Sequence, residues 1–392
     1  MPKRGHGEGT IYKRPDGLWT AQIIVGYDPK TGKPKRKSFY GKTRQEVANK
    51  LAEVIQELNT GTFIEPSKIT FGEWLDKWLV EYKKSQIKPT TYESYEVIIN
   101  THIKPALGNI PLAKLQPHML QAFYNDRLES GLSTRRVHYC HTIIHQALKQ
   151  AVKEGLLPRN PAEATSPPAI KNKQMRPLSE DELMKFLDVA KDDRLYAAYV
   201  VAATTGLRRG ELLGLCWDCV DLEQGIIVVK RQLVPLKKKG LILEETTKTK
   251  SGKRTVVLPE DTIRELKTHR KRQAQEKLLL GEAYQDHNLV FCTEKGTPLD
   301  PRNFTRHFKR LLKKAGLPTD IRLHDLRHTY ATLLLKRGVP AKIVQELLGH
   351  SSITITLDLY SHVTLEMQKL AVESLNGLLS KEKDLAHKQG NK

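Results

Sequence analysis

Apolar residues recur along this chain in rhythms that change from one region to the next. Over residues 10–13, 19–25 and 36–40 they follow a β-like pattern that predicts three strands, with Pro15-Asp16-Gly17 and residues 28–32 as the turns. Thr43 then stands as the cap of a helix running to about residue 58, with Val47, Leu51, Val54 and Leu58 on one face. Residues 59–68, broken by Gly61 and Pro66, read as a linker. From Thr70 the period becomes helical. Thr70-Phe71-Gly72-Glu73 has the form of a capping box opening a helix with Trp74 and Trp78, and further helical patterns span 89–100, 116–130 and 133–154, stopped by Gly155. Four helices over roughly ninety residues predict a compact bundle.

Residues 158–177 hold five prolines and mark a second boundary. Beyond it, Ser179 and Glu182 form another capping box, and helical patterns run to about residue 203 and over 208–215. Two β-like runs, 226–230 and 254–258, flank a basic loop. Helices are expected over 261–279, 303–314 and 324–337, and a short one should follow with Pro340 at its first position. Leu365, Leu370, Val372, Leu375 and Leu378 or Leu379 recur near helical spacing at the end. The expected fold class is mainly α with small antiparallel β-sheets (α+β), in three domains at 1–62, 67–165 and 175–385.

The chain has 392 residues, 39% of them hydrophobic, and no apolar run of membrane-spanning length. Its start, Met-Pro-Lys-Arg-Gly-His-Gly, lacks a signal-peptide core, so a cytoplasmic protein with no membrane partner is expected. A formal charge of +21 points to a polyanionic partner, although a basic soluble protein would share it. Residues 1–44 carry eleven Lys and Arg against Glu8, Asp16 and Asp28. A small basic sheet backed by a helix can lay its strands in a DNA major groove, or fold as a basic decoration that reads nothing. Lys83, Lys84, Lys88, Arg135 and Arg136 can meet phosphates from the helical region.

Four cysteines are too few for a disulfide scaffold. Cys216 and Cys219 have zinc-ligand spacing without a second pair, and read as a helix end packed in the core. His138, Cys140, His141 and His145 crowd one helix without an acidic ligand, and read as a DNA-facing or half-buried surface. No metal and no cofactor are expected.

The chemistry concentrates in four stretches: Thr205-Gly206-Leu207-Arg208-Arg209-Gly210-Glu211, Leu323-His324-Asp325-Leu326-Arg327-His328-Thr329-Tyr330, Leu348-Gly349-His350, and Leu357-Asp358-Leu359-Tyr360-Ser361-His362. His324 and Arg327, at i and i+3, share a helix face. Each piece alone has a plain reading as a basic pair, a chance spacing, a helix stop or a packed tyrosine. Together and in this order they resemble the tyrosine recombinases, the integrases of phages and conjugative elements. The resemblance is strong over 205–362 and general over the first two regions, which are similar to the family's arm-site-binding and core-site-binding domains.

That resemblance implies a site-specific recombinase that integrates, and also excises, a mobile element through a 3′-phosphotyrosyl intermediate. The non-bridging oxygens of a five-coordinate phosphorus gain charge that Arg208 and Arg327 would neutralise through their guanidinium forks. His324 and His350 would donate to the same oxygens or move a proton, and Tyr360 would attack. The leaving 5′ oxygen needs an acid. By its place in Thr-Lys-Ser this is Lys250, with Lys248 second, within residues 247–255 of a β-hairpin. Glu211 resembles the family's orienting acidic residue and reads equally as a surface charge; His328 would support from behind. The implied partners are double-stranded DNA at core and arm sites, a homo-tetramer assembled on that DNA, and optional DNA-bending or excision factors. Two rivals stay open: a type IB-like topoisomerase, and a DNA-binding regulator whose catalytic residues are idle.

Overall fold

The computed structural model describes residues 9–27, 31–60, 68–170, 176–237, 239–245, 254–357 and 373. The chain divides into two compact units, residues 1–172 and 173–392. Within the first, strands β1 (Thr10–Lys13), β2 (Trp19–Tyr27) and β3 (Pro34–Gly41) form an antiparallel sheet in the order β1-β2-β3. Alternation along β2 turns Ala21 and Ile23 toward helix α1 (Arg44–Asn59), which buries Val47, Leu51 and Val54 against them. Thr43 caps that helix by accepting from the Glu46 amide at 3.2 Å, as its side chain predicts. On the other side Tyr12 and Tyr40 flank Thr20 in register and remain exposed, with the Arg14 guanidinium 5.6 Å from the Tyr40 ring.

A separate core is built by helices α2 (Phe71–Trp78), α3 (Pro89–Ile98), α4 (Lys104–Leu107), α5 (Pro117–Glu129) and α6 (Thr134–Lys153). The Thr70–Glu73 capping box is formed reciprocally. Trp74 is wholly buried, its indole donating to the Ala147 carbonyl at 2.9 Å, and Trp78 stacks on Tyr95. Where the sequence predicts a helix ending near residue 100, the backbone continues through a π-helical turn, Ile99–Ile103, into α4. The wider turn keeps Ile98, Ile99 and Ile103 all on the inner face, which a regular helix does poorly with adjacent apolar residues. His138, His141 and His145 form a half-buried row along α6, while Cys140 is fully buried.

The second unit opens with α7 (Glu180–Ala190), α8 (Tyr196–Thr205) and α9 (Arg209–Leu213). Helix α8 is apolar nearly all round and therefore sits in the core, where Tyr199 meets Phe186, Phe304 and Phe308. Strands β4 (Val220–Asp221), β5 (Ile226–Val229), β6 (Arg231–Leu236), β7 (Gly240–Glu245) and β8 (Arg254–Val257) follow. β4-β5-β8 make one antiparallel sheet and β6-β7 a separate pair. The expected basic loop between 230 and 254 is thus corrected in part: residues 231–245 form a hairpin whose Leu233 and Leu236 are buried, with Lys237 and Lys239 only at its tip. Helices α10 (Glu260–Leu280), α11 (Pro301–Lys314), α12 (Asp325–Lys336), α13 (Ala341–Leu348) and α14 (Ile353–Leu357) complete the described elements. Pro340 stands one position earlier than expected, as the cap of α13, with extended ψ of 137°. Cys216 and Cys219 are buried around a single 3₁₀ turn, and Trp217 packs partly buried against the same core. Among the described residues no helix is long and apolar enough to cross a membrane.

Candidate active site

The site grows from three helix ends. Helix α8 stops at Gly206, whose φ of +61° suits glycine, and a Cβ there would lie 2.7 Å from both Leu348 and Tyr330. Two residues on, Arg208 is extended and caps α9. Its amide donates to Glu211 Oε2 at 2.9 Å and its Nη1 to Oε1 at 2.8 Å, so Glu211 closes the helix start from within. Helix α12 begins where buried Asp325 accepts from the Arg322 backbone and guanidinium, which sets His324, Arg327 and His328 on the first turn. Helix α13 ends at Gly349, again left-handed with φ of +64°.

The carbonyls at the end of α13 have no helical partner, and arginines take them. Arg254 Nε donates to Leu347 O at 2.9 Å, Arg327 Nη2 to Leu348 O at 2.6 Å, and Arg208 Nη2 to Gly349 O at 2.9 Å. Arg327 Nη1 also donates to Gly206 O at 2.6 Å, tying the end of α8 to the end of α13. Placing cations at a helix C-terminus is favourable in itself, because the peptide dipoles leave negative charge there. His350 follows directly, and its Nδ1 shares a 2.9 Å hydrogen bond with buried Thr356 of α14, leaving Nε2 unengaged by that contact.

Exposure separates the arginines. The Arg208 side chain is 42% exposed, that of Arg254 7%, and Arg327 is 3% exposed. Arg208 is the guanidinium that a polyanion can reach. Glu211 is buried, which opposes its ionisation, but the Arg254 fork (3.2 and 2.8 Å) and the Arg208 bonds override burial and hold its carboxyl down to about 2. Burial, then the Arg208 and Arg254 charges, pull the Arg327 pKa below the usual value, though it stays charged at neutral pH. Burial followed by Arg327 and Arg208 lowers His350 to about 4; burial followed by His324 lowers His328 to about 4. Partial desolvation and Arg327 lower His324 as well. All three imidazoles are neutral near pH 7 and hence hydrogen-bond donors as well as acceptors.

Of the expected site residues, Arg208, Glu211, Arg327 and His350 are drawn together through α13, and His324 stands beside His328 with ring centroids 4.8 Å apart. Tyr360, Lys250 and Lys248 lie outside the described residues, as do the spaced apolar residues of the expected last helix. Tyr330 packs on Gly206, close enough to Arg254 to feel its charge. The sequence reading gave no role to Arg254 or Thr356. Arg254 is one cation in a lysine-rich stretch, and its partners lie 43 and 93 residues away, so no local pattern marks it. A groove of about 850 Å³ beside β4, β5 and α10 has mixed charge (Asp218, Glu223, Lys267, Arg270) and contains none of these residues. Among the described residues no group of three or more His, Cys, Asp or Glu is placed to hold a metal ion.

A fold of this kind, with arginines and histidines gathered at the ends of α8, α12 and α13, has recognised counterparts. Residues 174–367 match the phage integrase family, and residues 70–128 the N-terminal SAM-like domain of phage integrases. A tyrosine recombinase XerC-like protein of Caldanaerobacter subterraneus is 35% identical over 373 residues, covering 91% of this chain and 95% of the relative. The ICEBs1 integrase of Bacillus subtilis is 29% identical over 374 residues, covering 94% and 100%. Among solved structures, the Tn1549 transposon integrase in complex with transposon right end DNA aligns with a TM-score of 0.68 at 24% identity, covering 78% of this chain and 99% of that one. A lambda integrase tetramer bound to a Holliday junction aligns with a TM-score of 0.55 at 23% identity, covering 91% and 96%. The chain belongs to the phage integrase family of tyrosine recombinases.

Proposed function

We propose that this recombinase cleaves and rejoins DNA at the ends of a mobile element, with Tyr360 as nucleophile and Arg208, Arg327, His324 and His350 around the scissile phosphate. The observation that carries the reading is the convergence of Arg208, Arg327 and His350 on the C-terminus of α13, with one guanidinium left open. In this scheme Arg208 binds a non-bridging oxygen directly, while enclosed Arg327 lends its charge from beneath. A phosphate arriving there offsets the arginine field that depresses His350, so the imidazole gains basicity as the substrate binds. Tyr360 attacks phosphorus as its phenolic proton passes to a neutral imidazole, His350 or His324; the phosphotyrosyl bond forms as the bond to the 5′ oxygen breaks, and Lys250 or Lys248 gives that oxygen a proton. Attack by a 5′ hydroxyl from a second duplex reverses the step and exchanges strands.

The first and second cores of the chain fit separate DNA readers, at 1–62 for arm sites and 67–165 for core sites, and the third, at 175–385, carries the chemistry. A tetramer on two duplexes is the assembly that strand exchange requires, and the lambda integrase structure is that of a tetramer bound to a Holliday junction. The test is a nicked duplex carrying the junction between the element's end and its host. The wild-type chain should accumulate a covalent adduct on denaturing gels, and Tyr360→Phe should bind the duplex alike yet form none. Adduct from the variant would move the attack to another residue; none from wild type would leave an idle DNA-binding protein. Exchange between two labelled duplexes then separates a recombinase from an enzyme that reseals one strand.

A further inference from the structure

We propose that Arg254 is a positioning residue of this site, clamping Glu211 to the end of α13 so that Arg208 and His350 are presented to the phosphate in fixed register. The inference rests on the strand-cleavage reading above and adds a residue to it. Arg254 opens β8, directly after the stretch that carries Lys248 and Lys250. Each side of its guanidinium has a partner: Nη1 and Nη2 grip the two oxygens of Glu211 at 3.2 and 2.8 Å, and Nε donates to Leu347 O at 2.9 Å. With its side chain 7% exposed, it is not itself the phosphate ligand.

Its effect follows from how Glu211 divides its oxygens. Arg208 needs Glu211 for orientation, yet a buried carboxylate with one cationic partner would draw that partner into a full bidentate pair. Arg254 supplies a second bond to each oxygen, so the Arg208 guanidinium holds Glu211 by Nη1 alone and turns Nη2 toward Gly349 and the open side. The same guanidinium holds Leu347, three residues before His350. Lysine retains the charge but lacks the planar fork and the Nε donor, and so cannot span both partners at once. The low carboxyl pKa of Glu211 agrees with a pair kept ionised and fully bonded.

The experiment compares wild type, Arg254→Lys, Glu211→Gln and the double variant on the nicked junction duplex, in single turnover. It reads duplex affinity, the rate of adduct formation and its final amplitude. Arg254→Lys should bind within about threefold of wild type and reach a similar amplitude, but at a rate roughly 10²-fold slower. Glu211→Gln should slow by a comparable factor, and the double variant should fall no more than about threefold below the slower single, because both act through one contact. A normal rate with reduced amplitude would mean only that fewer molecules fold, and would overturn the role. So would an unchanged rate, or losses that multiply to about 10⁴ in the double variant. The wild-type arm separates the two claims: no adduct from it overturns strand cleavage and this role together, whereas equal adduct formation in wild type and Arg254→Lys overturns the Arg254 role alone.

Discussion

Cations in this site differ less in charge than in what their donors already hold. Arg327 and Arg254 are enclosed with their forks turned to carbonyls and a carboxylate, and Arg208 alone among the three keeps an open side. A lysine serves a different purpose, since its proton can leave. If Lys250 protonates the 5′ oxygen, Lys250→Ala should slow cleavage by roughly 10²- to 10⁴-fold. A substrate with sulfur at the 5′ bridging position leaves without a proton and should recover most of that loss. Equal impairment on both substrates, with recovery in Lys248→Ala instead, would assign the proton to Lys248. At this scale the sequence was informative where residues are chemically unusual. His324, Arg327, His350 and Tyr360 stand out in order, whereas Arg254 is hidden among lysines and becomes distinct only when Glu211 and Leu347 meet it across the fold.

Helix ends do most of the positioning. Gly206 needs both its left-handed backbone and the absence of a Cβ, which would press on Leu348 and Tyr330. Gly206→Ala should therefore destabilise the chain by about 2–4 kcal/mol, combining backbone strain with overpacking. Urea unfolding followed by circular dichroism checks this, and a loss under 1 kcal/mol would mean that the α8–α13 junction yields easily. The imidazoles on α12 and at the end of α13 add a dependence on acidity. His328 and His350 are held near 4, against about 6.5 in an unfolded chain. Their folded pKa values are depressed, so between those limits the unfolded state binds more protons. Stability is therefore complete above about pH 6.5 and falls as pH drops toward 4, by on the order of a few kcal/mol in total. Thermal melts of wild type and His328→Gln across that window test it: the variant should lose less on acidification. Caps at Thr43, Thr70 and Ser179 were legible because one hydroxyl suffices. The β6–β7 hairpin was not, since Lys237, Lys239 and Gly240 read as a basic loop and the buried Leu233 and Leu236, three apart, give no strand alternation. The π-helical turn at Ile99–Ile103 was not either, as no residue type specifies it.

Across the whole molecule, the start of the chain carries more than its share of the positive charge. Residues 1–44 hold an excess of eight Lys and Arg over acidic residues, eleven against three, and the sheet there exposes Tyr12 and Tyr40 beside Arg14. A chain beginning at Ser67 should keep cleavage on core-site DNA and lose recombination that depends on flanking repeats. Two tethered readers gain avidity from proximity alone. Its binding should also depend less steeply on salt, by nearly one unit of slope for each phosphate contact removed. Footprints of the two chains on one long attachment-site fragment decide the matter: identical protection would mean that the first region attracts DNA without reading it.

The tryptophans give this division an optical signature. There are four in the chain: Trp19 packs against the first core, Trp74 and Trp78 are buried in the second, and Trp217 lies against the third. Trp217 has the Arg270 guanidinium 5.0 Å from its ring and Trp78 has the Lys83 ammonium at 5.3 Å, so their emission is set by different local fields. Phenylalanine at the other positions would leave chains that each fluoresce from a single core. Titrated with DNA or denaturant, those chains would report in separate channels which part of the molecule responds first.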